Sequence, residues 1–238
     1  MKKIVCDNYE EACQAAADIF AAQLEKKPES VLGLATGSTP IGLYEEFVSR
    51  NEKGQMDFSQ VRAFNLDEYY PIKANNPQSY HAFMEEHLFS KVKFASTRIL
   101  NGESPDPGIE CARFDAELDA AGGLDLLLLG IGQNGHVGFN EPADSYPLGS
   151  YLVHLTEDTI TVNSRFCEDG ENLPASAITM GMGQIFSAKK ILLLITGESK
   201  AKIAKKLFEG KVFTDVSASF LLLHPDITVV LDKAAYGD

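Results

Sequence analysis

The chain has 238 residues, 45% of them hydrophobic and 23% charged, with a formal net charge of −13. That balance is ordinary for a globular protein, and the acidic excess argues against a nucleic-acid surface, which needs clustered Lys and Arg. It leaves room for an anionic small molecule, since a phosphate needs only a few backbone N–H groups and one or two cations.

The opening MKKIVCDNYEE has two lysines but lacks the apolar stretch of a signal peptide. No run approaches the roughly 20 apolar residues of a membrane span, so a cytoplasmic protein is expected. Cys6, Cys13, Cys111 and Cys167 form no C-x-x-C pair and no Cys/His metal spacing, which predicts reduced thiols and no metal site. A strand over Lys3–Cys6 and a helix over about Asn8–Glu25 come first. VLGLAT (31–36) predicts a strand and Ile41 to about Asn51 a helix. VRAFNL (61–66) predicts a strand leading to a loop and a helix over Gln78–Phe89. Thr97–Leu100 is a short strand, Gly108–Ala121 helical, and LDLLLLG (124–130) a buried strand. Tyr151–Leu155 reads as a strand, KILLLIT (190–196) as another before a helix from Ser199 to about Phe208, and ITVVLD (227–232) closes the series. Apolar strands without alternation suit burial on both faces. Their alternation with helices predicts an α/β fold with a mostly parallel sheet, in one domain over residues 1–238.

Such sheets bind ligands at the carboxyl ends of their strands, so the residues after each strand are the candidates. Gly37-Ser38-Thr39-Pro40 follows VLGLAT: Gly37 permits a tight turn, Pro40 suits a first helical turn, and Ser38 or Thr39 can cap the helix. Taken alone this is an ordinary helix start; at the first strand-to-helix loop it becomes a phosphate candidate. Asp67 and Glu68 follow VRAFNL, where a solvated turn is the ordinary reading. Asp67 is the better placed to face a cleft, where desolvation would raise its pKa towards that of a working base.

GIGQNGHVGFNEP (130–142) contains G-x-G-x-x-G, but Gly138, Asn140 and Pro142 are poor helix formers, and a dinucleotide fingerprint needs a helix there. What remains is a glycine-rich loop displaying Asn134, His136 and Glu141, with His136 and Glu141 an acid/base pair in prospect. A loop histidine bonded to backbone is the plainer alternative. Two cations complete the set: Arg165 in TVNSRF, and Lys200 in TGESK just after a strand. The segment Leu155–Pro174, which carries Arg165, has the irregular character of a lid.

Together, ATGSTPIGLY, FNLDEYY, NPQSYHAFM, LLLLGIGQNGHVGFNEP, TVNSRF, TGESKA and LLLHP resemble the glucosamine-6-phosphate deaminase (glucosamine-6-phosphate isomerase) family, in family order over nearly the whole chain. The resemblance implies a Rossmann-like three-layer fold. It also implies conversion of glucosamine 6-phosphate and water to fructose 6-phosphate and ammonia, in amino-sugar catabolism, with no metal or organic cofactor. On that resemblance Asp67 would shuttle a proton between C2 and C1, His136 would open the sugar ring, and Glu141 would orient His136. Gly37, Ser38, Thr39, Arg165 and Lys200 would hold the 6-phosphate. Some relatives carry Asp where this chain has Asn134, which leaves Asn134 between a catalytic and an orienting role. The chain stops at Asp238, shortly after the last predicted strand. The resemblance then implies a short, non-allosteric form, monomeric or a small homo-oligomer. Two alternatives are a 6-phosphogluconolactonase-like hydrolase, which has no use for Asp67 as a carbon-proton base, and a non-catalytic sugar-phosphate-sensing module.

Overall fold

The computed structural model describes residues 1–163 and 173–237. Strand β1 (Lys2–Cys6) leads into α1 (Tyr9–Lys26), capped by Asn8, whose side chain accepts the Glu11 N–H at 2.8 Å. Next come β2 (Val31–Leu34), α2 (Ile41–Glu52), β3 (Arg62–Asn65) and β4 (Asp67–Tyr70). α3 (Tyr80–Met84) runs on as a π-helical turn over Glu85–Phe89, followed by β5 (Ser96–Arg98), α4 (Pro107–Ala120) and β6 (Leu126–Leu129). The second half holds β7 (Tyr151–His154), α5 (Glu157–Asn163), β8 (Ser176–Thr179), α6 (Met182–Ser187) and β9 (Ile191–Ile195). A 3-10 turn (Glu198–Lys200) opens α7 (Ala201–Leu207), and β10 (Ile227–Asp232) with α8 (Lys233–Tyr236) ends the chain.

Seven strands form one all-parallel sheet in the order β1-β10-β9-β6-β2-β3-β5. Alternate residues of a strand face opposite sides, and here both sides are covered. Leu126 and Leu128 join the core with α1 and α2, while Leu127 and Leu129 join the core with α4, α6 and α7. That is why LLLL shows no polar alternation. The expected α/β class with its parallel sheet between helical layers is the observed one.

The order also locates a crevice. From β2 the chain winds outward through β3 to β5, then returns to place β6 on the other side of β2. The carboxyl ends of β2 and β6 therefore flank a topological switch point, where ligands bind in open sheets of this kind.

A second, antiparallel sheet, β4-β8-β7, was not expected from the sequence. Asp67–Tyr70, read as a turn, is its first strand, and its first three residues are buried. Leu66 joins the two sheets, donating its N–H to Leu34 O at 3.3 Å and accepting the Met180 N–H at 2.8 Å. β8 is Ser-Ala-Ile-Thr, too short and too poor in strand formers to stand out by composition.

Cys6, Cys13 and Cys111 are buried free thiols; Cys167 lies outside the described residues. Among the described residues no helix is long and apolar enough to cross a membrane, and no His/Cys/Asp/Glu group could hold a metal ion.

Candidate active site

A cleft of about 720 Å³ opens at the switch point and is lined by Gly37, Ser38, Thr39, Asp67, Asn134, His136 and Lys200, among others. Seven of the nine residues singled out in the sequence thus meet in one place. Glu141 lies immediately behind them, and Arg165 falls outside the described residues.

The loop after β2 turns at Gly37, whose φ of 92° belongs to the left-handed region that only glycine enters freely. Ser38 and Thr39 do not cap α2, contrary to the sequence expectation. Its N-cap is Pro40, with no side-chain bond, and the first-turn N–H of Gly42 goes to the Tyr9 hydroxyl of α1 at 2.8 Å.

Asp67 sits where the chain passes from the large sheet to the small one, and only 6% of its surface is exposed. Among the described residues its carboxylate accepts no hydrogen bond. Burial, reinforced by the neighbouring Glu68, pushes its pKa up to about 8. Glu68 points the other way, as the strand's alternation requires. It accepts the N–H groups of Tyr69, Tyr80 and His81 at 2.8, 2.9 and 2.9 Å, which tie β4 to the start of α3. Burial raises Glu68 to about 7 even against those three donors.

In the glycine loop no helix begins at Gly135, so the dinucleotide pattern is accidental. The Gly132 N–H instead closes a tight turn on His136 O at 2.8 Å. The imidazole lies against Gly132: a Cβ there would fall 2.3 Å from the ring. Asn134 bridges the loop, accepting the His136 N–H at 3.1 Å and donating to Glu141 Oε2 at 2.6 Å. The Thr159 hydroxyl donates to Glu141 Oε1, with Thr156 Oγ1 at 3.5 Å. His136 Nδ1 is 3.5 Å from Glu141 Oε2, too long for a good hydrogen bond, and is buried without another partner. Burial alone would raise the Glu141 pKa; His136, Thr159 and Asn134 outweigh it and bring it down to about 2. The loop then crosses Asp67: a Cβ on Gly138 would lie 3.4 Å from Asp67 Oδ2.

Lys200 reaches from the turn after β9 to donate its ammonium to Ile131 O at 2.7 Å, and burial lowers its pKa. Of the presumed lid segment, the structure describes Leu155–Asn163 and residues 173–174. Two of the lining residues that sequence reasoning missed brace the site. Tyr80 stacks on Phe139 at 5.9 Å and an interplanar angle of 3°, and Thr159 braces Glu141. Tyr80 lies inside NPQSYHAFM; Thr159 carries no local signal, because its partner is 18 residues away.

The model of the glucosamine-6-phosphate isomerases/6-phosphogluconolactonase family matches residues 7–226. A glucosamine-6-phosphate deaminase from Thermoanaerobacter pseudethanolicus is 47% identical over 237 residues, covering 99% of this chain and 94% of that protein. One from Halothermothrix orenii is 45% identical, covering 99% and 98%. Among solved structures, a monomeric glucosamine-6-phosphate deaminase has a TM-score of 0.95 at 40% identity, covering 100% of this chain and 99% of that one. The 6-phosphogluconolactonase of Trypanosoma brucei has a TM-score of 0.78 at 17% identity, covering 99% and 97%, a likeness of fold alone.

Proposed function

We propose that this chain, which belongs to the glucosamine-6-phosphate isomerase/6-phosphogluconolactonase family, is a glucosamine-6-phosphate deaminase. It converts glucosamine 6-phosphate and water to fructose 6-phosphate and ammonia. Gly37, Ser38, Thr39 and Lys200 hold the 6-phosphate, with Arg165 as the second cation. That anchor lets binding energy position C1 and C2 against the acid/base groups.

His136 opens the ring, taking the proton from the C1 hydroxyl and delivering one to the ring oxygen; Glu141 orients it, and Asn134 orients both. Asp67 then takes the proton from C2 and returns it to C1, while an amine proton passes to O1. The product is the 2-imine of fructose 6-phosphate, whose hydrolysis by water releases ammonia. These steps use side chains alone, with no cofactor. A sugar-phosphate substrate supports a cytoplasmic location, and the monomeric relative supports a monomer.

Asp67 is the observation that carries this reading: a buried carboxylate with a raised pKa beside the His136 loop suits carbon-proton transfer. Lactone hydrolysis does not call for it. The test is ammonia release from glucosamine 6-phosphate, with N-acetylglucosamine 6-phosphate as control and 6-phosphogluconolactone as the rival substrate. Ammonia from the first substrate alone is expected; lactone hydrolysis without ammonia would overturn the reading.

A further inference from the structure

We propose that Tyr9, a residue of α1 that does not line the cleft, is a positioning residue for the phosphate loop, serving as the N-cap that α2 lacks. This rests on the reading of residues 37–39 as the phosphate cradle.

A helix leaves its first N–H groups without intrahelical partners, and a side chain at the N-cap usually takes one of them. α2 has Pro40 at that position and no side-chain cap. The Tyr9 hydroxyl, more than 30 residues away in sequence, does the work. It accepts the Gly42 N–H at 2.8 Å and donates to Thr39 O at 3.1 Å, with Ser38 O at 3.4 Å. One hydroxyl thus ties the carbonyl side of the loop to the first turn of the helix. Because C=O and N–H point in opposite directions across a planar trans peptide, holding the Ser38 carbonyl towards Tyr9 aims the Thr39 N–H away from it.

The surroundings are built to admit this contact. A Cβ on Gly42 would lie 2.9 to 3.0 Å from the Tyr9 ring, the Tyr9 hydroxyl and Cys13 Sγ, so glycine there makes room for the phenol. The other end of the loop is held in the same manner, by the Tyr44 hydroxyl donating to Ala35 O. Burial raises the Tyr9 pKa to about 12, so the group stays a neutral donor and acceptor across the working pH range.

Two variants test the role from opposite sides. Tyr9→Phe removes only the hydroxyl. Gly42→Ala keeps Tyr9 and pushes its ring off the helix start, while improving the intrinsic helix propensity of α2. For each, KM and kcat for glucosamine 6-phosphate, the Kd of inorganic phosphate by calorimetry, and Tm are measured. KM and Kd are expected to rise together by about five- to tenfold, with kcat within twofold of the parent, as for a loss of uniform binding. If Tyr9 were only a packing residue, Tm would change while KM and Kd stayed within twofold in both variants, and the proposal would be overturned. A parent protein that binds no phosphate would instead overturn the reading of the cradle itself, which the calorimetry separates from the first outcome.

Discussion

Asp67 and Glu141 are both buried carboxylates at the same cleft, yet their pKa values are driven apart, to about 8 and about 2. The Asp67 carboxylate accepts no hydrogen bond among the described residues and has a like charge for a neighbour; Glu141 accepts from Asn134 and Thr159 and faces His136. Both are nearly closed to solvent, at 6% and 7% exposed, and burial raises both; at Glu141 the partners overturn that rise, and at Asp67 nothing opposes it. A carboxylate left without donors becomes a strong base, and one surrounded by them becomes a fixed negative charge.

The largest test of this contrast is Asp67→Asn. Its kcat for ammonia release should fall by about a thousandfold or more, while phosphate affinity by calorimetry stays close to the parent value. Retention of activity within tenfold would remove Asp67 from the chemistry. Glu141→Gln keeps the shape but removes the charge that His136 faces, and a loss of roughly a hundredfold in kcat is expected. A loss as large as that of Asp67→Asn would give Glu141 a direct role in the reaction and break the assignment of a supporting one.

The contrast depends on which residues were adjacent in the sequence and which were brought together by folding. The parallel strands could be read directly, because LDLLLLG and KILLLIT have no polar face to confuse them. The cleft residues followed from the rule that ligands bind at strand ends. The burial of Asp67 could be anticipated but its cause could not, since DEYY has the composition of a turn and becomes a strand only by pairing with Ser176–Thr179. Thr159 and Tyr9 were invisible for the same reason: each acts on a segment 18 or more residues away through a single hydroxyl. The cap assigned to Ser38 or Thr39 failed because local rules cannot foresee a competing hydroxyl from another helix.

Two smaller effects sharpen the comparison. Asn134→Asp replaces a donor to Glu141 Oε2 with a second carboxylate at the same 2.6 Å contact, so one of the two must take up a proton. We expect a fall in kcat of about tenfold or less at neutral pH, recovered in part at higher pH, read from initial rates across a pH series. Unchanged rates would show that Asn134 does not set the state of Glu141.

Glu68→Gln is expected to have the smallest effect on the maximal rate and a visible one on its pH profile. In its proposed role Asp67 acts as a base only when ionised, so kcat/KM should rise as pH increases through about 8. Removing the neighbouring negative charge lowers the Asp67 pKa, though burial, the larger cause, remains. The rising limb therefore moves to lower pH; a limb that stays in place would mean that Glu68 does not act on Asp67.

The junction at Leu66 has a further consequence for which sugars fit. The phosphate loop and Lys200 belong to the large sheet, whereas Asp67 is the first residue of the small one, and Leu66 alone joins β3 to β4. On the proposed roles the two sheets are the jaws of a calliper, one closed on the phosphate and the other on the reacting carbons. The gap between them measures the length of the substrate. If those roles hold, a phosphate with a shorter carbon chain, held by the same loop, would present its carbons short of the base, so the fold itself would select for chain length.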